Sequence, residues 1–71
     1  MSWDREVFSS NVVKVGYDTD DGDLLITWNN GKVSVYEEVP EEIAYELSKT
    51  VSVGQMLNSE IKPNYKHHYK K

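Results

Sequence analysis

The feature that most constrains this chain is a change of apolar period at Val39-Pro40. Upstream, short β-branched runs are separated by turn residues. Downstream, apolar residues recur at three- and four-residue spacing. A strand turns alternate side chains to one face, whereas a helix repeats every ~3.6 residues, so the two halves demand different structure.

Three upstream runs read as strands. They are Val12-Val13-Lys14-Val15-Gly16-Tyr17, Asp23-Leu24-Leu25-Ile26-Thr27-Trp28 and Lys32-Val33-Ser34-Val35-Tyr36. In the second, Leu24, Ile26 and Trp28 alternate and share one face. In the third, the buried face is open: Val33 and Val35 lie on one side, Ser34 and Tyr36 on the other. The polar turn Asp18-Thr19-Asp20-Asp21-Gly22 and the tighter Asn29-Asn30-Gly31 supply residues that tolerate positive φ, so neighbouring runs pair antiparallel.

Beyond the switch, Pro40 suits a helix start and Glu41 and Glu42 put negative charge in the first turn. Ile43, Ala44 and Leu47 form one apolar stripe, and Lys49 closes the end. A second helix is expected from Ser52, with Gln55 at capping-box spacing. Val53, Met56, Leu57 and Ile61 then share a face until Lys62-Pro63 stops it. The expected fold is α+β: a three-stranded antiparallel meander followed by two short helices packed on one face (β-β-β-α-α). The opposite sheet face stays solvated or serves a partner. Residues 1–8 read as an N-terminal arm, 9–65 as the domain, and 66–71 as a basic tail that loses order beyond Tyr65.

With 71 residues, the chain supports a single core. It has no cysteine, which excludes a disulfide framework, a thiolate metal site and a thiol nucleophile. A reducing cytoplasm is the expected location. No apolar run reaches the ~20 residues of a membrane span, and the charged start Met1-Ser2-Trp3-Asp4-Arg5-Glu6 lacks the apolar core of a signal peptide. The net charge of −4 conceals an asymmetry. Residues 1–61 hold all twelve acids and four bases, a net of −8, whereas 62–71 hold four lysines and no acid. Such a body repels phosphate, which confines any nucleic-acid contact to the tail.

The order and spacing of several short pieces resemble the KTSC family. Ser9-Ser10-Asn11-Val12 stands ahead of Gly16-Tyr17-Asp18, and Leu24-x-Ile26-x-Trp28 precedes a glycine turn. Tyr36 comes before Val39-Pro40, Ser52-x-Gly54 leads to Asn58-x-x-Ile61, and Tyr65 follows. Together these cover roughly residues 9–65. Ser34 stands where the family carries the first tyrosine of a Tyr-x-Tyr pair, and Gln55 and Ser59 replace its arginines. The family is named for a domain at the C-terminus of some lysyl-tRNA synthetases, and it also occurs as short stand-alone bacterial and phage proteins. The resemblance implies a β-β-β-α-α frame and an RNA-binding role.

Candidate sites are few. Asp18, Asp20, Asp21 and Asp23 crowd one turn, but glycine falls fifth and Asn29 twelfth, unlike an EF-hand loop. A solvated hairpin turn accounts for them. His67-His68 lies in a lysine-rich stretch, and with no histidine elsewhere no nucleophile–base arrangement can be built. No catalytic residue, metal or cofactor is expected. Tyr17 and Trp28 read as core. Tyr45 lies off the apolar stripe of its helix, and with Tyr36 and the arm residues Trp3 and Phe8 it is a candidate contact for a protein partner or a second copy; the alternative for Trp3 and Phe8 is that they pin the arm onto the domain. The alternative contact set is Lys62, Tyr65, Lys66, Tyr69, Lys70 and Lys71, whose mixture of bases and rings suits single-stranded nucleic acid. A non-enzymatic protein-interaction module is the first expectation, and an RNA- or tRNA-binding appendage the second.

Overall fold

The structure, a computed structural model, describes residues 1–70. Five strands form one antiparallel sheet in the order β1-β2-β3-β4-β5. They are β1 (Ser2–Glu6), β2 (Val12–Asp18), β3 (Asp23–Trp28), β4 (Val33–Tyr36) and β5 (His67–Tyr69). Helix α1 (Glu41–Lys49) and helix α2 (Val53–Met56), the latter continued by a π-helical turn over Leu57–Ile61, complete the fold. The α+β class and the central meander agree with the sequence reading. The number of strands does not: the arm is β1 and the tail is β5.

Both missed strands are edges. An edge strand is held by backbone bonds to one neighbour and need not bury an alternating apolar face. Ser-Trp-Asp-Arg-Glu and His-His-Tyr carry no such pattern, yet Trp3 lies opposite Tyr17 and Val35 opposite His68. The stretch beyond Tyr65 is therefore built into the sheet through Tyr69, and Lys70 N–H still donates to the Val33 carbonyl at 2.8 Å.

The register settles which side of β4 faces inward. Leu24 lies opposite Tyr36 and Ile26 opposite Ser34, so Ser34 and Tyr36 join the helix-covered side. Tyr36 is only 2% exposed. Buried Ser34 accepts a hydrogen bond from Trp28 Nε1 at 2.7 Å, so the polar group has a partner. In β2 the register shifts between Val12 and Lys14. This bulge lets Val12 and Val15 both point into the core while Val13 turns outward.

The core comprises Val12, Val15, Tyr17, Leu24, Ile26 and Tyr36 from the sheet, Val39 after it, and Ala44, Leu47, Val53, Leu57 and Ile61 from the helices. Val53, Leu57 and Ile61 recur every four residues. That interval exceeds the 3.6 of an α-helix, so a regular helix would rotate Ile61 off the line. The wider turn, closed by Lys62 N–H to the Leu57 carbonyl at 2.8 Å, keeps all three buried. Ser52 precedes α2, but its side chain makes no capping bond.

Tyr17 ties the sheet to the helical half. Its hydroxyl donates to the Val39 carbonyl at 2.6 Å, and Val39 N–H donates to Gly22 at 2.9 Å. Glu38 reaches this geometry with φ of 54°, in the left-handed region that disfavours a side chain.

Candidate functional site

Two surfaces gather the candidate residues, one at each edge of the sheet.

At the β1 edge, Trp3 points to the helix side and is half-buried. Its ring lies 5.9 Å from Tyr17 and 6.4 Å from Tyr45, the latter edge-on. Its indole N–H donates to Glu41 Oε2 at 3.0 Å. Trp3 thus pins β1 against α1. Tyr45 remains 50% exposed, and Lys49 Nζ sits 4.9 Å from its ring centre. A hollow of about 320 Å³ between Trp3, Arg5, Tyr45 and Ser48 continues past Arg5 and Ser48 into a second of about 430 Å³. Phe8 and Val51 line this second hollow, and both are fully exposed. Val51 escaped the sequence reading. It lies between two helices at no repeating interval, so nothing in the pattern separates it from a core valine.

At the β5 edge the expected basic tail is a folded strand, and distant residues join it. His67 stacks on Tyr36 with ring centres 4.9 Å apart, and Tyr69 meets His67 edge-on at 4.8 Å. Lys32 Nζ lies 5.9 Å from the Tyr69 ring centre, and Lys62 Nζ lies 5.9 Å from that of Trp28. Trp28, Ser34, Tyr36, Lys62, His67 and Tyr69 line a cleft of about 300 Å³. On the opposite sheet face, His68 Nδ1 lies 3.1 Å from Glu37 Oε2.

The candidate lists change accordingly. Tyr36 is a core residue, because the β3–β4 register turns it inward, and cannot reach a protein partner as proposed from sequence. Tyr65 is half-buried against the core and is no free stacking ring. Trp3 and Tyr45 come together, with Phe8 farther along the same groove. Lys62 and Tyr69 line the helix-side cleft at the β5 edge, Lys66 and Lys70 flank β5 with Lys70 against the uncovered face, and Lys71 lies outside the described residues. Lys32 was missed as a member of this group. It precedes β4, and only strand pairing brings it beside Tyr69.

The acidic turn is structural. Asp18 Oδ1 accepts the Asp20 and Asp21 backbone N–H groups at 3.0 and 3.4 Å, an Asx turn that closes the hairpin. Burial, followed by the nearby charges of Asp21, Glu37 and Asp18, pushes the Asp23 carboxyl above its ordinary range, with His68 opposing the shift. No three His, Asp or Glu side chains among the described residues are grouped as a metal centre. No helix among them is long and apolar enough to cross a membrane.

A five-stranded antiparallel sheet with two short helices on one face and clefts at both edges defines a small α+β domain. The KTSC domain model matches residues 8–65, and the chain belongs to that family. A protein of Tsukamurella paurometabola is 32% identical over 62 residues, covering 87% of this chain and 92% of that protein. The crystal structure of a KTSC domain protein from Yersinia pestis is similar over 100% of both chains, with a TM-score of 0.88 and 25% identity.

Proposed function

We propose that this chain is a non-enzymatic protein-interaction module that works in the cytoplasm and engages its partner through the groove between β1 and α1. The observation that carries this reading is the convergence of Phe8, Val51 and Tyr45 on one groove, exposed beside the half-buried Trp3. A single exposed apolar side chain is ordinary, but several around one concavity mark a contact surface. Aromatic residues are also enriched where proteins meet. The test is retention of a specific protein from the native cell by tagged wild-type chain, compared with a Phe8→Ser, Val51→Ser double variant. The variant is expected to keep the wild-type Tm within a few degrees and lose the retained protein. Equal retention by both would remove the groove from the reading. Absence of any specific protein would remove the reading itself.

Single-stranded RNA at the β5 edge is the second reading, supported by the approach of Lys32 and Lys62 to the Tyr69 and Trp28 rings. Bases can stack on such rings while lysines neutralise phosphate. Binding would weaken with salt and on changing Lys62, Lys66 and Lys70 to alanine. No shift of a labelled single strand at low salt would end it.

A further inference from the structure

The two free edges of the sheet are complementary to each other. In β1, backbone bonds from Thr19 N–H to Met1 and from Val7 N–H to Val13 assign the odd-numbered residues to the ladder with β2. Antiparallel alternation then leaves the N–H and C=O groups of Ser2, Asp4 and Glu6 pointing outward. In β5, Glu37 N–H bonds Lys66 and Lys70 N–H bonds Val33. The even-numbered residues there are paired, and His67 and Tyr69 point their backbone groups outward.

Strands β1 and β5 run in the same direction, because each neighbour in the five-strand order is antiparallel. A second copy displaced sideways therefore presents its β1 parallel to the β5 of the first, with the helix-covered faces on the same side. Placing Trp3 opposite His67 and Arg5 opposite Tyr69 pairs every outward group of β5 and leaves only Ser2 N–H and Glu6 C=O of β1 at the ends of the ladder. His67 and Tyr69 N–H donate to the Ser2 and Asp4 carbonyls, and Asp4 and Glu6 N–H donate to the His67 and Tyr69 carbonyls. On the uncovered face Asp4 then sits beside His68, and Glu6 beside Lys70. On the helix side Trp3 and Arg5 meet the His67 and Tyr69 rings. Sliding the strands by two residues leaves His67 N–H without an acceptor in one direction and calls on Phe8, beyond the end of β1, in the other.

We propose that this chain self-associates head to tail, the β5 edge of one copy pairing in parallel with the β1 edge of the next. Charge selects the occupant. On the uncovered face, from which Arg5 turns away, Lys66 and Lys70 on one edge and Asp4 and Glu6 on the other repel like edges and attract unlike ones, over distances within the ~10 Å screening length at 0.1 M salt. Such a contact joins two different surfaces, so it propagates rather than stopping at a dimer. It shares Trp3 and Arg5 with the groove but not Phe8 and Val51, so the Phe8→Ser, Val51→Ser variant leaves both edges intact and tells the two proposals apart.

The experiment is sedimentation of the full chain from about 10 µM to about 1 mM, a range that detects association as weak as a Kd of about 1 mM. Wild type is expected to show average mass rising with concentration. Asp4→Pro removes an outward N–H of β1, and Tyr69→Pro one of β5, and neither touches the existing ladder. Each variant alone is expected to remain monomeric. Mixed in equal amounts, they retain one intact β5 and one intact β1 and are expected to form a 1:1 dimer that grows no further. If a proline variant fails to fold, the pair Asp4→Lys, Glu6→Lys and Lys66→Glu, Lys70→Glu gives the same discrimination: each is monomeric alone, and mixing restores association. A wild-type mass that is constant with concentration overturns the proposal. So does association by a single blocked variant, or a mixture that stays monomeric. A monomeric chain whose His67 and Tyr69 amides become protected on adding oligouridine, or a Glu-Val alternating peptide, also overturns it and assigns the edge to that ligand.

Discussion

Changing Tyr17 to phenylalanine isolates one atom at the joint between sheet and helices. The ring, in contact with the core, is retained, so apolar burial hardly changes. What is lost is the 2.6 Å bond from the hydroxyl to the Val39 carbonyl. That carbonyl belongs to a residue only 1% exposed, so water cannot readily replace the donor. Leaving a buried acceptor without its donor costs about 1–3 kcal/mol, and we take about 2 kcal/mol. A domain of this size is stable by only ~4–10 kcal/mol, so the loss is a large fraction of the whole. It corresponds to a fall in Tm of roughly 8–16 °C. Urea unfolding followed by Trp fluorescence should show a lower midpoint with unchanged slope, since the surface exposed on unfolding is the same. A Tm within about 2 °C of wild type would refute the reasoning and show that the Val39 carbonyl is satisfied by other means.

The same hydroxyl has an alkaline limit. Burial, then the charges of Glu41 and Asp23, raises the Tyr17 pKa, and burial, then Tyr69, raises that of Tyr36. The folded state therefore favours both neutral phenols, and their contribution is complete below the unfolded pKa of ~10 and lost as pH rises through the folded values. Thermal unfolding between pH 8 and 11.5 should show Tm falling only at the alkaline end, and less steeply in Tyr17→Phe. Glu38→Gly removes the penalty of a side chain at φ 54°, offset by glycine's greater freedom when unfolded, so a gain of about 0.5–1 kcal/mol is expected by denaturant titration. Ser34→Ala removes the acceptor of Trp28 Nε1; we expect a loss of about 1 kcal/mol, read from chemical unfolding, with a shift in Trp emission in the native state.

The central hairpins were legible because their side chains carry the information. Leu24 and Ile26 repeat at two, are flanked by turns and are fully buried. The β4 face was not legible from Val33-Ser34-Val35-Tyr36, since both alternations contain apolar residues. Pairing with Leu24 and Ile26 decides it, turning Tyr36 from an apparent contact into core. The candidate surfaces divided in the same way. Tyr45 announced its exposure by lying off the helical stripe, whereas Lys32 joined the β5 surface only because strand pairing returns it to Tyr69.

By itself, the sequence determined the α+β class, the turn positions, the helix beginning after Pro40, the absence of thiol chemistry and the separation of an acidic body from basic residues at the end. These follow from local period, backbone preference and charge, each read within a few residues. Tertiary structure alone decided that both terminal stretches are strands, that the last strand is parallel to the first, and that on the uncovered face acids lie at one edge and lysines at the other. Edge strands are held by backbone hydrogen bonds to a neighbour distant in sequence. Their own side chains need not repeat, and the partner supplies the order.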